Sequence, residues 1–186
     1  MQMLISIIIF VVLVALLYMA MRNGLIGKKN QVANAEASID VMLKKRFDLL
    51  PNLIEATKAY MKHEQTVLTE LTALREKSHH LDTINKPQLD KQLSAAVSNF
   101  RVAVEAYPEL KANDNTMLLM RSINETEEQL SAARRSFNAA VTRYNNAIEM
   151  FPSSLIANQM MLTTLPLFEI ADTERINIDA ARLFKQ

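Results

Sequence analysis

The three histidines carry the most reactive side chains of this sequence. His63-Glu64 begins like the His-Glu-x-x-His motif, in which two histidines four residues apart bind zinc from one face of a helix. The residue four positions after His63 is Val67, so the second ligand is missing. His79 and His80 could chelate a metal ion in a loop, but exposed neighbouring histidines are usually solvated. We therefore predict no specific metal site.

Other catalytic constellations are also missing from the sequence. Glu125 and Glu128 would share one face of a helix. The di-iron sites of helical bundles also require a Glu-x-x-His element, and none accompanies these two residues. Gly24 and Gly27 are the only glycines, which excludes the glycine-rich phosphate-binding loops. With no cysteine, thiol catalysis and cysteine zinc sites are excluded too. The sequence predicts a protein that is not an enzyme and that needs no cofactor.

The charges of the chain nearly cancel. Lys and Arg number 21 and Asp and Glu number 20, so the formal net charge is +1. A nucleic-acid-binding surface needs a basic excess that this composition does not supply. We predict no nucleic-acid partner.

A stretch of nineteen uncharged, mostly apolar residues lies at 3–21. As a helix it would be roughly 28 Å long, close to the hydrocarbon thickness of about 30 Å of a bilayer. A cleaved signal peptide is the alternative, but it would have basic residues before a shorter apolar core. We predict a retained single-pass anchor that contacts membrane lipid through residues 3–21.

The cations that flank this span predict its orientation. Arg22, Lys28 and Lys29 follow the span, and no Lys or Arg precedes it. Since cytoplasmic flanks hold the excess of Lys and Arg, the short N-terminus is expected outside and the remaining domain in the cytoplasm. The predicted location is the bacterial cytoplasmic (inner) membrane.

After the span, apolar residues recur every three, four and seven positions, which is typical of helices packed on one face. Pro51 interrupts one such pattern, which predicts one long bent helix or two abutting helices ending near Lys77. Further helices are predicted over 88–106 and 116–150. The fold class is therefore all-α: an N-terminal transmembrane helix and an elongated antiparallel bundle of about four long helices with coiled-coil-like packing. The predicted domains are an anchor at 1–22, a linker at 23–30, the bundle at 31–165 and a tail at 166–186.

The last long helix has a strict seven-residue period, which keeps one seam against a partner helix. Its members are Ile123, Leu130, Phe137, Tyr144 and Phe151. Beyond the seam, a short apolar helix is expected between Pro152 and Pro166, docked on the bundle. The alternative is that its apolar residues form an exposed patch for a partner.

Three strings resemble the sequence blocks of the bacterial LemA family. They are IDVMLKKRFDLLPNLIEATKAYMKHE at 39–64, AVEAYPELKANDN at 103–115 and TEEQLSAARRSFNAAVTRYNNAIEMFPSSLIA at 126–157. The resemblance implies a membrane-anchored protein with an elongated helical bundle and no established enzymatic activity. Two features depart from the family: Glu36 stands where a tryptophan is common, and 159–161 lacks a Phe-Gly-Phe-like string.

The polar residues that match the family blocks are candidates for binding a partner or for fixing helix register. They are Asp40, Lys44, Lys45, Arg46, Asp48, Asn52, His63, Glu64, Arg134 and Arg135. For Asp40, Arg46, Asp48, Arg134 and Arg135, interhelical ion pairs and hydrogen bonds that fix register are the preferred interpretation, because polar groups inside a helical bundle need paired partners.

Three functions from different classes follow from the sequence. The preferred one is a membrane-anchored, non-enzymatic scaffold or adaptor that binds another, unidentified protein. The alternative is a self-assembling structural protein, a homo-oligomer that organises or remodels the membrane. A metal-binding protein or enzyme that uses His63, His79 or His80 is the weakest of the three.

Overall fold

The computed structural model describes residues 1–58, 60–61, 65–77 and 86–168. Helices are the only regular secondary structure of these residues, which confirms the all-α expectation. In chain order the helices are α1 (Gln2–Lys58), α2 (Gln65–Lys77), α3 (Lys86–Glu105), α4 (Pro108–Lys111), α5 (Asp114–Glu149) and α6 (Ser153–Gln159).

Helix α1 continues through Pro51, so of the two predicted alternatives the pair of helices abutting at that residue is wrong. The proline removes one backbone donor, but Leu50 and Leu53 on either side of it are fully buried. Their packing outweighs the local penalty, because most helical stability in a protein comes from a buried apolar face. The helix ends instead at Lys58, and the second helix ends at Lys77 as predicted.

The N-terminal part of α1 is apolar and exposed. Within the described part of the chain, α1 is the one helix long and apolar enough to cross a membrane, and none of its most apolar window is buried. Residues 23–30, predicted as a linker, are helical and belong to α1. From Leu25 onward one face of the helix becomes buried, beginning with Leu25, Val32 and Ile39.

Gly24 and Gly27 lie inside α1, although the sequence predicted a linker there. Neither has a positive φ, and a Cβ at either position would meet no atom within 4 Å.

Glycine inside a helix costs about 1 kcal/mol relative to alanine. Gly24→Ala and Gly27→Ala should therefore each raise the free energy of unfolding by about 0.5–1 kcal/mol in detergent-solubilised protein. Ala37→Gly, at an exposed position of the same helix, should lower it similarly, whereas destabilisation by both alanines would contradict this account.

The chain forms two compact units. The first unit contains Met1–Leu43 and Glu125–Leu167, and the second contains Lys44–Asn124. Both α1 and α5 contribute to each unit.

The core of the first unit joins faces of α1, α5 and α6. Its buried members are Leu25, Val32, Ala140, Val141, Tyr144, Ile148, Ile156 and Ala157. Met160, Leu162 and Leu165 pack against this core, so the predicted docking of the segment after α6 is confirmed for these residues. Burial also raises the pKa of the Tyr144 phenol above its ordinary value.

The core of the second unit joins residues of α1, α2, α3, α4 and α5. Its members include Phe47, Leu50, Leu53, Leu71, Leu74, Leu89, Leu93, Phe100, Leu110 and Ile123. The arrangement as an antiparallel bundle of about four long helices stays a prediction.

The predicted seam of α5 is buried along most of its length. Ile123, Leu130 and Tyr144 are 2% exposed or less, and Phe137 packs against the core of the first unit. Phe151 is 80% exposed, so its assignment to the seam is wrong. The reason is that α5 ends at Glu149, and beyond a helix end the seven-residue period no longer determines where a side chain points.

The start of α5 is capped by a side chain. The Asn113 carboxamide oxygen accepts hydrogen bonds from the backbone N–H groups of Asn115, at 3.0 Å, and Thr116, at 3.1 Å. These are two of the four N–H groups that a helix N-terminus leaves without an internal partner. The cap separates α5 from the short helix α4 before it.

Asn145 holds the segment after α6 by two hydrogen bonds. Its amide nitrogen Nδ2 donates to the Leu165 carbonyl oxygen at 2.9 Å, and its Oδ1 accepts from the Leu165 N–H at 3.0 Å.

Asn145→Asp removes the donor and places a carboxylate oxygen against the Leu165 carbonyl. We expect this change to cost about 1–3 kcal/mol of stability, measured by thermal unfolding. Asn146→Asp, at the exposed neighbouring position, is the control; equal losses in the two variants would contradict the role of Asn145.

Candidate functional site

The most buried of the candidate residues is Arg46, on α1. Its Nη1 donates to Asp90 Oδ1 at 3.2 Å and to Ser94 Oγ at 3.0 Å. Asp90 and Ser94 lie one turn apart on α3, so a single guanidinium group bonds to both. The Arg46 side chain is 2% exposed and the Asp90 side chain 6%.

This ion pair links α1 to α3 inside the second unit. Separating the two groups would remove each buried charge from its counter-charge, and an unpaired buried charge is far costlier than a paired one. The pairing agrees with the register role that the sequence favoured for Arg46, which stays a prediction. Asp90 was missed by the sequence analysis, although its spacing from Leu93 and Val97 places it on the buried face of α3.

Arg134 and Arg135, adjacent on α5, have different surroundings. Arg134 is 5% exposed, and its Nη2 lies 3.9 Å from Glu127 Oε1 of the same helix. Arg135 is exposed, and its Nη1 donates to Ser131 Oγ at 3.0 Å, one turn earlier. Both of these contacts, Arg134 with Glu127 and Arg135 with Ser131, lie within α5.

Four of the candidate residues form an exposed group on α1, which we call the polar stripe: Lys44, Lys45, Asp48 and Asn52. Lys44, Asp48 and Asn52 are spaced by four, so they follow one another along one side of the helix. The three consecutive basic residues of this segment differ in burial, because Lys44 and Lys45 are exposed whereas Arg46 is buried.

The remaining candidates do not join these groups. Asp40 is partly buried and lies in the first unit. His63 and Glu64 lie outside the described residues, as do His79 and His80. Where side chains are described, no group of three or more His, Cys, Asp or Glu residues could hold a metal ion.

Taken together, these features define a class of protein: an all-helical chain whose first helix is long and apolar enough to cross a membrane. The chain belongs to the LemA family, whose family model matches residues 35–180. It is 24% identical over 168 residues to Protein LemA of Metamycoplasma hominis, a match that covers 89% of this chain and 77% of that protein. The family resemblance noted in the sequence is confirmed, and the matched region contains all three sequence blocks.

Proposed function

We propose that this chain is a membrane-anchored, non-enzymatic scaffold or adaptor that binds another protein beside the bacterial cytoplasmic membrane. One observation carries the proposal: helix α1 contains both the exposed apolar span and the exposed polar stripe. A single element thus combines a segment suited to lipid with a surface suited to a protein.

The membrane part of the proposal rests on residues 3–21. Large apolar side chains along this segment, such as Phe10 and Leu13, are exposed, and burying such side chains is worth roughly 1.5–3 kcal/mol each. A bilayer would cover the whole segment. Arg22, Lys28 and Lys29 follow it, so the proposed orientation places the N-terminus outside and the helical domain in the cytoplasm.

The non-enzymatic part of the proposal rests on the different burial of the candidate residues. Arg46 is paired inside the second unit, where it supports the proposed bundle of about four long helices. The polar stripe occupies an exposed helix surface. A buried register pair beside an exposed polar surface favours a role in holding the fold and presenting it to a partner.

The proposal predicts that a charge reversal in the polar stripe disrupts binding. Full-length protein carrying Asp48→Lys should recover at least about tenfold less partner from native membranes, equivalent to about 1.4 kcal/mol of binding free energy. Quantitative mass spectrometry of the captured material measures this loss. The melting temperature should stay unchanged, because Asp48 is exposed.

Glu105→Lys is the matched control, since it makes the same change of charge at an exposed position of the second unit. It should leave partner recovery unchanged. Equal recovery with Asp48→Lys and wild-type protein would contradict the assignment of the stripe. So would an equal loss with the control, which would indicate a general effect of net charge.

A further inference from the structure

A second uncharged stretch lies near the C-terminal end of the described residues. Residues 150–168 read MFPSSLIANQMMLTTLPLF, without a single Asp, Glu, Lys or Arg. Charged residues make up 22% of the chain, and the only other uncharged stretch of this length contains the N-terminal span. Glu149 and Glu169 bound the stretch on either side.

Some side chains of this stretch pack against the first unit and others are exposed, and both sets contain large apolar residues. Ile156, Ala157 and Met160 belong to or pack against the core of the first unit. On the exposed side, Phe151 is 80% and Met161 is 87% accessible. Met150, Leu155 and Leu167 are also exposed. Large apolar side chains that are exposed this close together in the sequence favour a surface that contacts a partner or a membrane.

Contacts with α1 place this stretch at the end of the apolar span. The Tyr18 hydroxyl donates to Gln159 Oε1 at 2.9 Å, and Tyr18 and Met21 pack against the same core as Met160 and Leu165. Tyr18 precedes the end of the span at Met21 by three residues, about 4.5 Å of helix. Tyrosines at this position of a membrane helix typically lie at the lipid–water interface.

We propose that residues 150–167 are a second membrane contact, which inserts Phe151, Leu155 and Met161 into the interface of the bilayer that residues 3–21 cross. This inference rests on the membrane anchoring proposed above. Lipid fits this surface because the segment has no charge to desolvate and because Tyr18 fixes it at interfacial depth. Helix α6 would lie in the interface with its exposed Leu155 toward the acyl chains, as interfacial helices place their apolar residues.

The chain contains no tryptophan, so a single introduced tryptophan reports on one position. Phe151→Trp tests the proposed contact in full-length protein reconstituted into phosphatidylcholine vesicles with brominated acyl chains, because bromine quenches tryptophan fluorescence at close range. Phe10→Trp reports on the span. Val41→Trp is the matched control, since Val41 is an exposed apolar residue of the same unit. All three sites are exposed, so the larger ring creates no clash in the core.

The expected result is that brominated lipid lowers the emission of Phe151→Trp and Phe10→Trp about twofold and leaves that of Val41→Trp unchanged. Quenching of Phe10→Trp alone would overturn the proposed second contact and would still support the membrane anchor. Absence of quenching in both would overturn the anchor and the contact with it. Blue-shifted but unquenched emission from Phe151→Trp would show that protein covers the patch, such as a second copy of this chain, and would also overturn the proposal.

Discussion

Asp90→Ala should lower the free energy of unfolding by about 3–5 kcal/mol. The change leaves the Arg46 guanidinium 2% exposed without the carboxylate that compensates its charge. For a chain of this length the loss corresponds to a fall in melting temperature on the order of 10 °C. Thermal unfolding of the detergent-solubilised full-length protein, followed by circular dichroism, measures it.

Two further variants show whether the lost charge pairing is the cause. Asp48→Ala, at an exposed position of the second unit, should change stability by less than about 0.5 kcal/mol. Combining Asp90→Leu with Arg46→Met removes both charges and should restore much of the loss, since apolar replacements of a buried pair are often neutral. A melting temperature for Asp90→Ala equal to that of Asp48→Ala would show that the pair does not hold the fold.

Leu130→Ala is expected to have the second large effect, a loss of about 2–5 kcal/mol. Leu130 is fully buried in the middle of α5, and its truncation removes apolar contacts and leaves a cavity. Leu118→Ala makes the same change at a 60% exposed position of the same helix. It should cost well under 1 kcal/mol.

The difference between these two leucines tests the seam of α5 directly. Chemical denaturation of both variants gives the two free energies, with the denaturant dependence as a check on cooperativity. Similar values for the two variants would contradict the assignment of Leu130 to the core.

Periodicity predicted the buried face of α5 because a helix repeats its direction about every seven residues. Ile123, Leu130 and Tyr144 are buried for that reason. The prediction was wrong at Phe151, which lies beyond the last helical residue, Glu149. Helix ends depend on local bonds that the apolar pattern does not contain. At Pro51 the sequence left open a bent helix or two abutting helices, and α1 is continuous there, with the flanking leucines fully buried.

The sequence could predict which candidate side chains are buried within one helix, but not which residues they contact on another helix. The buried position of Arg46 follows from its spacing to Leu50 and Leu53, which lie on the same face of α1. That spacing also leaves Lys44 and Asp48 on other sides of the helix. The partner of Arg46 was not predictable, because the contact with Asp90 depends on how α1 and α3 are aligned. Spacing within one helix carries no information about that alignment.

In the proposed function, this LemA-family chain is held in a membrane and binds another protein. Affinity capture of the full-length protein from its native membrane, with mass spectrometry and a sizing run on the same detergent extract, tests it most directly. We expect one second protein that elutes with this chain in a fixed ratio. A large species that contains this chain alone would contradict the adaptor proposal and favour a self-assembling membrane scaffold.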